Sequence, residues 1–140
     1  MKFEIKGDQF YKDGEPVKII SGAVHYFRNM PGTWRDIFKK MRALGCNTVE
    51  TYCVWNMHEK KMGEFDFSGI LDISRFLRTA AEEGLMVIVR PGPYICAEWE
   101  AGALPWWLLK EDMPLRCADP KYLAKVDIYY DRLMALLKPH

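Results

Sequence analysis

The sequence predicts an α/β fold in which parallel strands alternate with helices. Three observations carry the prediction. Apolar, β-rich runs recur around residues 20, 48 and 86, about one β/α unit apart once a long loop after the second is allowed for. Amphipathic segments with helix punctuation at both ends lie between and after them. The runs themselves are apolar enough for a parallel sheet covered on both faces.

The first twenty residues form a β preamble. Lys2 to Lys6, Gln9 to Lys12 and Val17 to Ile20 are short strand candidates, and Asp13-Gly14 is a tight-turn signal between the last two. The third is expected to continue through Ile19 to Val24 and to exit at His25, Tyr26, Phe27 and Arg28. Pro31-Gly32 then breaks the chain. Thr33 with Asp36 three residues on reads as a capping box for a helix with Trp34, Ile37, Phe38, Met41 and Leu44 on its apolar stripe, ended by Gly45. A strand over Thr48 to Tyr52, a helix from Ile70 to Glu83 stopped by Gly84, and a strand over Met86 to Arg90 follow. Asp119 and Pro120 announce a last helix over Lys121 to Leu137, with Tyr122, Leu123, Val126, Tyr130, Leu133 and Leu137 on one stripe and Pro139 after it. A doubly wound nucleotide-binding fold can also begin β-α-β-α-β, but no G-x-G-x-x-G or P-loop is present.

Composition narrows the function classes. With 49% hydrophobic and 28% charged residues the chain can bury a sizeable core, and a formal charge of +1 gives no reason to expect nucleic acid or an anionic membrane as partner. No apolar run approaches the ~20 residues of a membrane span. Met1 to Lys6 alternates like a strand and lacks the apolar core of a secretory signal, so a cytoplasmic location is expected. Cys46, Cys53, Cys96 and Cys117 contain no CxxC pair, so free thiols are expected, and neither a metal nor a cofactor is implied.

Three segments carry the strongest signal. Residues 90–100 read Arg-Pro-Gly-Pro-Tyr-Ile-Cys-Ala-Glu-Trp-Glu, a strand running into a turn restricted by Pro91, Gly92 and Pro93. Before it stands Asn-Thr-Val-Glu-Thr-Tyr-Cys-Val-Trp-Asn at 47–56, and after it Gly-Ala-Leu-Pro-Trp-Trp-Leu-Leu at 102–109. Together, over nearly the whole chain, they resemble the N-terminal part of the catalytic barrel of glycoside hydrolase family 35, which contains many β-galactosidases. Departures are small: Cys53 and Lys60 stand where relatives often carry Val and Pro, and Ala103 and Trp106 replace a common Gly and Ala. A complete (β/α)₈ barrel needs roughly 250 residues. The 140 residues are therefore expected to form a partial (β/α)₈ TIM barrel, about the first three β/α units preceded by short N-terminal β-strands, as one incomplete domain over 1–140.

In such barrels the strand exits build the active site. Here they deliver His25, Tyr26 and Arg28; Glu50, Tyr52, Trp55, Asn56, His58 and Glu59; and Arg90, Tyr94, Cys96, Glu98, Trp99 and Glu100. Flat rings beside polar groups suit a sugar. The resemblance implies a β-galactoside or oligosaccharide substrate and places the galactose-binding positions at Tyr52, Ile95, Cys96, Ala97 and Glu98. Alternative readings stay open: Tyr52 as a packed core tyrosine, Glu98 in an ion pair with Arg90 or Arg28, Glu50 in a buried polar network, His25 and His58 as hydrogen-bonded structural histidines, and the tryptophans as core or loop anchors.

Retaining hydrolysis needs two carboxyl groups about 5 Å apart. In the resembled family the acid/base follows an Asn at the end of the fourth strand, and the nucleophile lies near the end of the seventh. The chain has no Asn-Glu dipeptide, so no catalytic residue is assigned within it and the piece alone is expected to be inactive. The rival readings are a truncated noncatalytic remnant that only folds or binds sugar, and another exo-β-glycosidase specificity such as β-glucosaminidase. Unpaired barrel edges are expected to drive oligomerisation, aggregation or a molten state.

Overall fold

A computed structural model describes residues 2–140. The fold is α/β. Strands β1 (Phe3–Lys6), β2 (Gln9–Lys12) and β3 (Glu15–Val17) form an antiparallel sheet, with Asp13 and Gly14 both at positive φ in the β2–β3 turn. Strands β4 (Ser21–Ala23), β5 (Thr48–Tyr52) and β6 (Met86–Arg90) form a second sheet, parallel and in sequential order.

The expected continuous strand from Val17 to Val24 is thus two strands in two sheets. Asn47 causes the break: its Oδ1 accepts from the Ile20 N–H at 2.9 Å and its Nδ2 donates to the Lys18 carbonyl at 2.7 Å. Those bonds replace ladder partners and let the chain turn between sheets.

Helix α1 (Trp34–Ala43) follows β4, and after a four-residue α2 (Trp55–His58) come α3 (Ile73–Glu82) and, beyond β6, α4 (Pro120–Leu137). The expected capping box at Thr33 does not form. Its hydroxyl donates back to the Met30 carbonyl at 2.8 Å, and Asp36 pairs with Lys40 one turn on. Leu44, expected on the buried stripe, is 83% exposed because it falls on the last residue before Gly45 turns the chain at φ +89°. At α3 the cap is Asp72, whose carboxylate accepts from the Arg75 N–H. The α4 cap is as expected: Asp119 accepts from the Lys121 and Tyr122 N–H groups, with Pro120 in the first turn. Its buried stripe is Tyr122, Val126, Tyr129 and Leu133; Leu123 is exposed, and Tyr129 takes the place given to Tyr130.

Cross-strand partners in a parallel sheet share a face. The row Gly22, Val49 and Val87 faces the helices, where Gly22 leaves room for Met41. Trp34 and Phe38 of α1 meet Phe76 of α3 edge-on, with ring centroids 5.3 and 5.1 Å apart. Each pair adds about 0.5–1.5 kcal/mol beyond area burial. On the opposite face the row Ala23, Glu50 and Ile88 is open, with Ala23 and Ile88 exposed. On that face only the middle row is open, because Thr48, Met86 and Tyr52 toward its two ends are buried. Among the described residues no helix is long and apolar enough to cross a membrane.

Candidate functional site: a rim built from three strand exits

Each parallel strand ends in side chains that reach the same rim. From β4 the chain passes His25 into a single helical turn at Tyr26–Arg28 that buries Tyr26 and Phe27. From β5 come Tyr52 and the short α2. From β6 comes the loop with Pro91, Gly92 and Pro93, in which Tyr129 and Tyr130 of α4 donate to the Pro91 and Gly92 carbonyls at 3.2 and 2.6 Å.

Tyr52 lies on the open face with Glu50, two residues earlier on the same strand. Its N–H donates to Nδ1 of His25 at 3.3 Å, which places the His25 proton on Nε2. Burial lowers the His25 pKa, Arg28 and Arg90 push it the same way, and Glu50 opposes them. The Arg90 guanidinium lies 4.1 Å from the Tyr52 ring centroid and pairs with Glu50 at 3.0 Å. Glu50 belongs to that ion pair, half-buried on the open face.

Of the five expected sugar-binding positions, Ile95 and Ala97 are buried, Tyr52 is 7% exposed, and Cys96 and Glu98 are exposed. The Ile95 N–H donates to the Gly102 carbonyl at 2.9 Å and its side chain joins the core, so it supports the loop from beneath. The Ala97 carbonyl accepts a bond from Arg28. Glu98 adopts φ +46° and forms no ion pair among the described residues; Arg90 is taken by Glu50, and Arg28 reaches backbone carbonyls. This leaves an exposed, unpaired carboxylate on a constrained loop. Tyr52 and the loop are joined through His25, stacked on Phe27 at 5.4 Å, and through Phe27, edge-on to Trp99 at 4.9 Å.

His58 and Tyr26 are structural. The Tyr26 hydroxyl donates to His58 Nε2 at 2.5 Å and accepts from the Val54 N–H, while His58 Nδ1 donates to the Asp66 carbonyl at 2.8 Å. Burial lowers the His58 pKa to about 4, so the ring is neutral. Trp55 and Trp107 are core residues whose indole N–H groups reach Glu59, which is itself 2% exposed. Trp106 is exposed and donates to the Lys60 carbonyl. Among the described residues no three His, Cys, Asp or Glu side chains group as a metal ion needs.

Sequence reasoning placed Asn56 at the rim without its partner and did not place Gly102 there. Asn56 accepts from the Trp99 indole at 3.1 Å, tying the β5 exit to the β6 exit. Gly102 has φ +59°, and a Cβ there would lie 2.0 Å from the Tyr94 ring. The glycine was visible in the sequence; the ring against it was not. A cavity of about 420 Å³ lies elsewhere, lined by Leu77, Ala81, Val87, Val89 and Leu137 on the helix side of β6.

Similarity to known proteins agrees with this architecture. The family model for glycosyl hydrolases family 35 matches residues 9–140. The chain is 49% identical over 138 residues to a β-galactosidase of Xanthomonas manihotis, covering 98% of this chain and 23% of that protein. It is 51% identical over 133 residues to a human β-galactosidase, covering 94% and 20%. It therefore spans about a fifth of the length of the curated relatives it matches. Among solved structures, an exo-β-1,4-mannosidase from Opitutaceae bacterium strain TAV5 superposes with a TM-score of 0.71 at 22% identity, over 97% of this chain and 25% of that one, and shares its α/β fold. With the family pattern matched over all but the first eight residues, the chain belongs to family 35 of the glycosyl hydrolases.

Proposed function

We propose that the chain is the N-terminal portion, about the first three β/α units, of the catalytic (β/α)₈ barrel of a retaining exo-β-galactosidase, and that it supplies the galactose-binding part of the site. Tyr52, Cys96, Ala97 and Glu98 bind the terminal β-D-galactose, and Ile95 sets the loop beneath them. The observation that carries this reading is the exposed, unpaired Glu98 carboxylate, held at the same rim as Tyr52 by His25, Phe27 and Trp99. A carboxylate accepts bonds from sugar hydroxyls that are stronger than neutral ones. The acid/base and the nucleophile belong to later strands of the full enzyme, so the piece contributes binding without turnover. The open row of Ala23, Glu50 and Ile88 is the inner wall of the barrel, and the bare edges of β4 and β6 are where further strands pair.

The test is a chimera in which the whole 140-residue chain replaces the matching segment of the Xanthomonas relative. Hydrolysis of a nitrophenyl β-galactoside in preference to the β-glucosaminide is expected. Glu98→Gln should raise KM about 10–100-fold, from the ~1.5–3 kcal/mol of hydrogen bonds to a charged group. Tyr52→Phe should raise it about 2–10-fold for one neutral bond. Unaltered KM in both variants, or a preference for the glucosaminide, overturns the reading.

A further inference from the structure

We infer that Arg28 is the positioning residue of the sugar-binding loop: from the β4 exit it grips the backbone of Ala97 and Glu98 and sets the direction in which the Glu98 carboxylate points. The inference rests on the reading of the rim given above, and it adds a residue that touches no sugar.

Four observations support it. The Arg28 Nη2 donates to the Ala97 carbonyl and, at 3.2 Å, to the Glu98 carbonyl, across 69 and 70 residues of sequence. The same guanidinium lies 5.3 Å from the centroid of Trp99, the next residue of the loop, and 5.9 Å from that of Phe27, its own neighbour. Glu98 has φ +46°, a left-handed state that an L-residue keeps only when its surroundings impose it. Finally, Arg28 forms no ion pair among the described residues, so its donors serve backbone carbonyls while the carboxylate of Glu98 stays unneutralised.

Arginine suits this task because its flat guanidinium donates in its plane while its face lies on a ring. Lysine, a point charge on a flexible stem, can reach one carbonyl but cannot also present a flat face to Trp99. Asn56 completes the hold from the β5 side, accepting from the Trp99 indole and donating to the Glu100 carbonyl at 3.5 Å. All three strand exits are thereby joined at residues 97–100, and the loop's geometry becomes a property of the sheet.

The experiment compares Arg28→Met, Arg28→Lys and Glu98→Gln in the chimera, reading amide hydrogen exchange across residues 95–102 together with KM and kcat for the aryl galactoside. Arg28→Met should speed exchange at least tenfold at the Ile95 and Gly102 N–H groups, which close the loop by donating to the Gly102 and Trp99 carbonyls, leave α1 and β5 as protected as before, and raise KM about tenfold with kcat within about threefold. Arg28→Lys should recover part of both losses. Unchanged loop exchange in Arg28→Met overturns the inference, as does faster exchange with unchanged KM. Exchange that rises throughout the chain in both variants would show Arg28 to be a general stabiliser and overturn it equally. If Glu98→Gln leaves KM unaltered, the sugar-site reading has failed and the positioning role falls with it, while the exchange data alone report whether Arg28 holds the loop.

Discussion

An alanine at position 102 meets two obstacles at once. The backbone there has φ +59°, and an L-residue in the left-handed region costs roughly 1–2 kcal/mol. The new Cβ would also lie 2.0, 2.3 and 2.5 Å from three atoms of the Tyr94 ring, far inside ordinary contact. That ring cannot retreat freely, because the Arg116 guanidinium covers it with 3.8 Å to the centroid. Forced overpacking of this kind costs about 1–3 kcal/mol. The expected loss for Gly102→Ala is therefore about 2–5 kcal/mol. Gly45→Ala is the matched control: φ is +89° there, but nothing lies within 4 Å of the added Cβ, so only the backbone cost of roughly 1–2 kcal/mol remains. Urea unfolding of the chain at low concentration measures both. Hydrogen exchange at the Ile95 N–H, which donates to the Gly102 carbonyl, locates the damage in the binding loop. Equal destabilisation by the two substitutions would refute the reasoning, because it would mean that the Tyr94 contact does not constrain the loop.

Acid should reveal His58. Its pKa falls from 6.5 to about 4 on folding, so between those values the unfolded chain binds the extra proton. The contribution is complete above pH 6.5 and lost as pH drops to about 4, a loss of about 3 kcal/mol; His25, also lowered, acts in the same direction. Thermal unfolding at steps from pH 7.5 to 4 should show this slope, and His58→Gln should flatten it; an equal slope in the variant would assign the effect elsewhere. For the open sheet face, sedimentation of the isolated chain should show self-association that rises with concentration, and Ile88→Lys should weaken it by placing a charge on the exposed apolar row. A monomer at all concentrations would count against the uncovered inner wall.

Local signals were legible wherever the cause was local. The spans of β2, β5 and β6 follow from apolar patterning, the helix stops at Gly45 and Gly84 from positive φ, and the α4 start from Asp119 and Pro120. Most of what sequence reading missed was decided over distance. The chain leaves one sheet for another near Ile20 because Asn47, twenty-seven residues later, takes its N–H. Thr33 is the local exception: it had the residue type of a cap, but its hydroxyl bonds the Met30 carbonyl three residues back. On α4 Tyr122, Val126 and Leu133 are buried as expected, but Tyr129 takes the place of Tyr130 because Trp55 stacks on it at 4.8 Å. The site divides in the same way. Tyr52 and Glu98 could be singled out by motif, whereas the competition for arginines could not: Arg90 goes to Glu50 and Arg28 to backbone carbonyls, which leaves Glu98 unpaired.

A crystal structure of the chimera soaked with galactose tests the central claim most directly. The account predicts the sugar at the rim of the three strand exits, its hydroxyls within hydrogen-bond distance of the Glu98 carboxylate, the Tyr52 hydroxyl and the Cys96–Ala97 backbone, with Arg28 still on the Ala97 carbonyl. Galactose bound elsewhere, with Tyr52 and Glu98 facing only solvent, would contradict it.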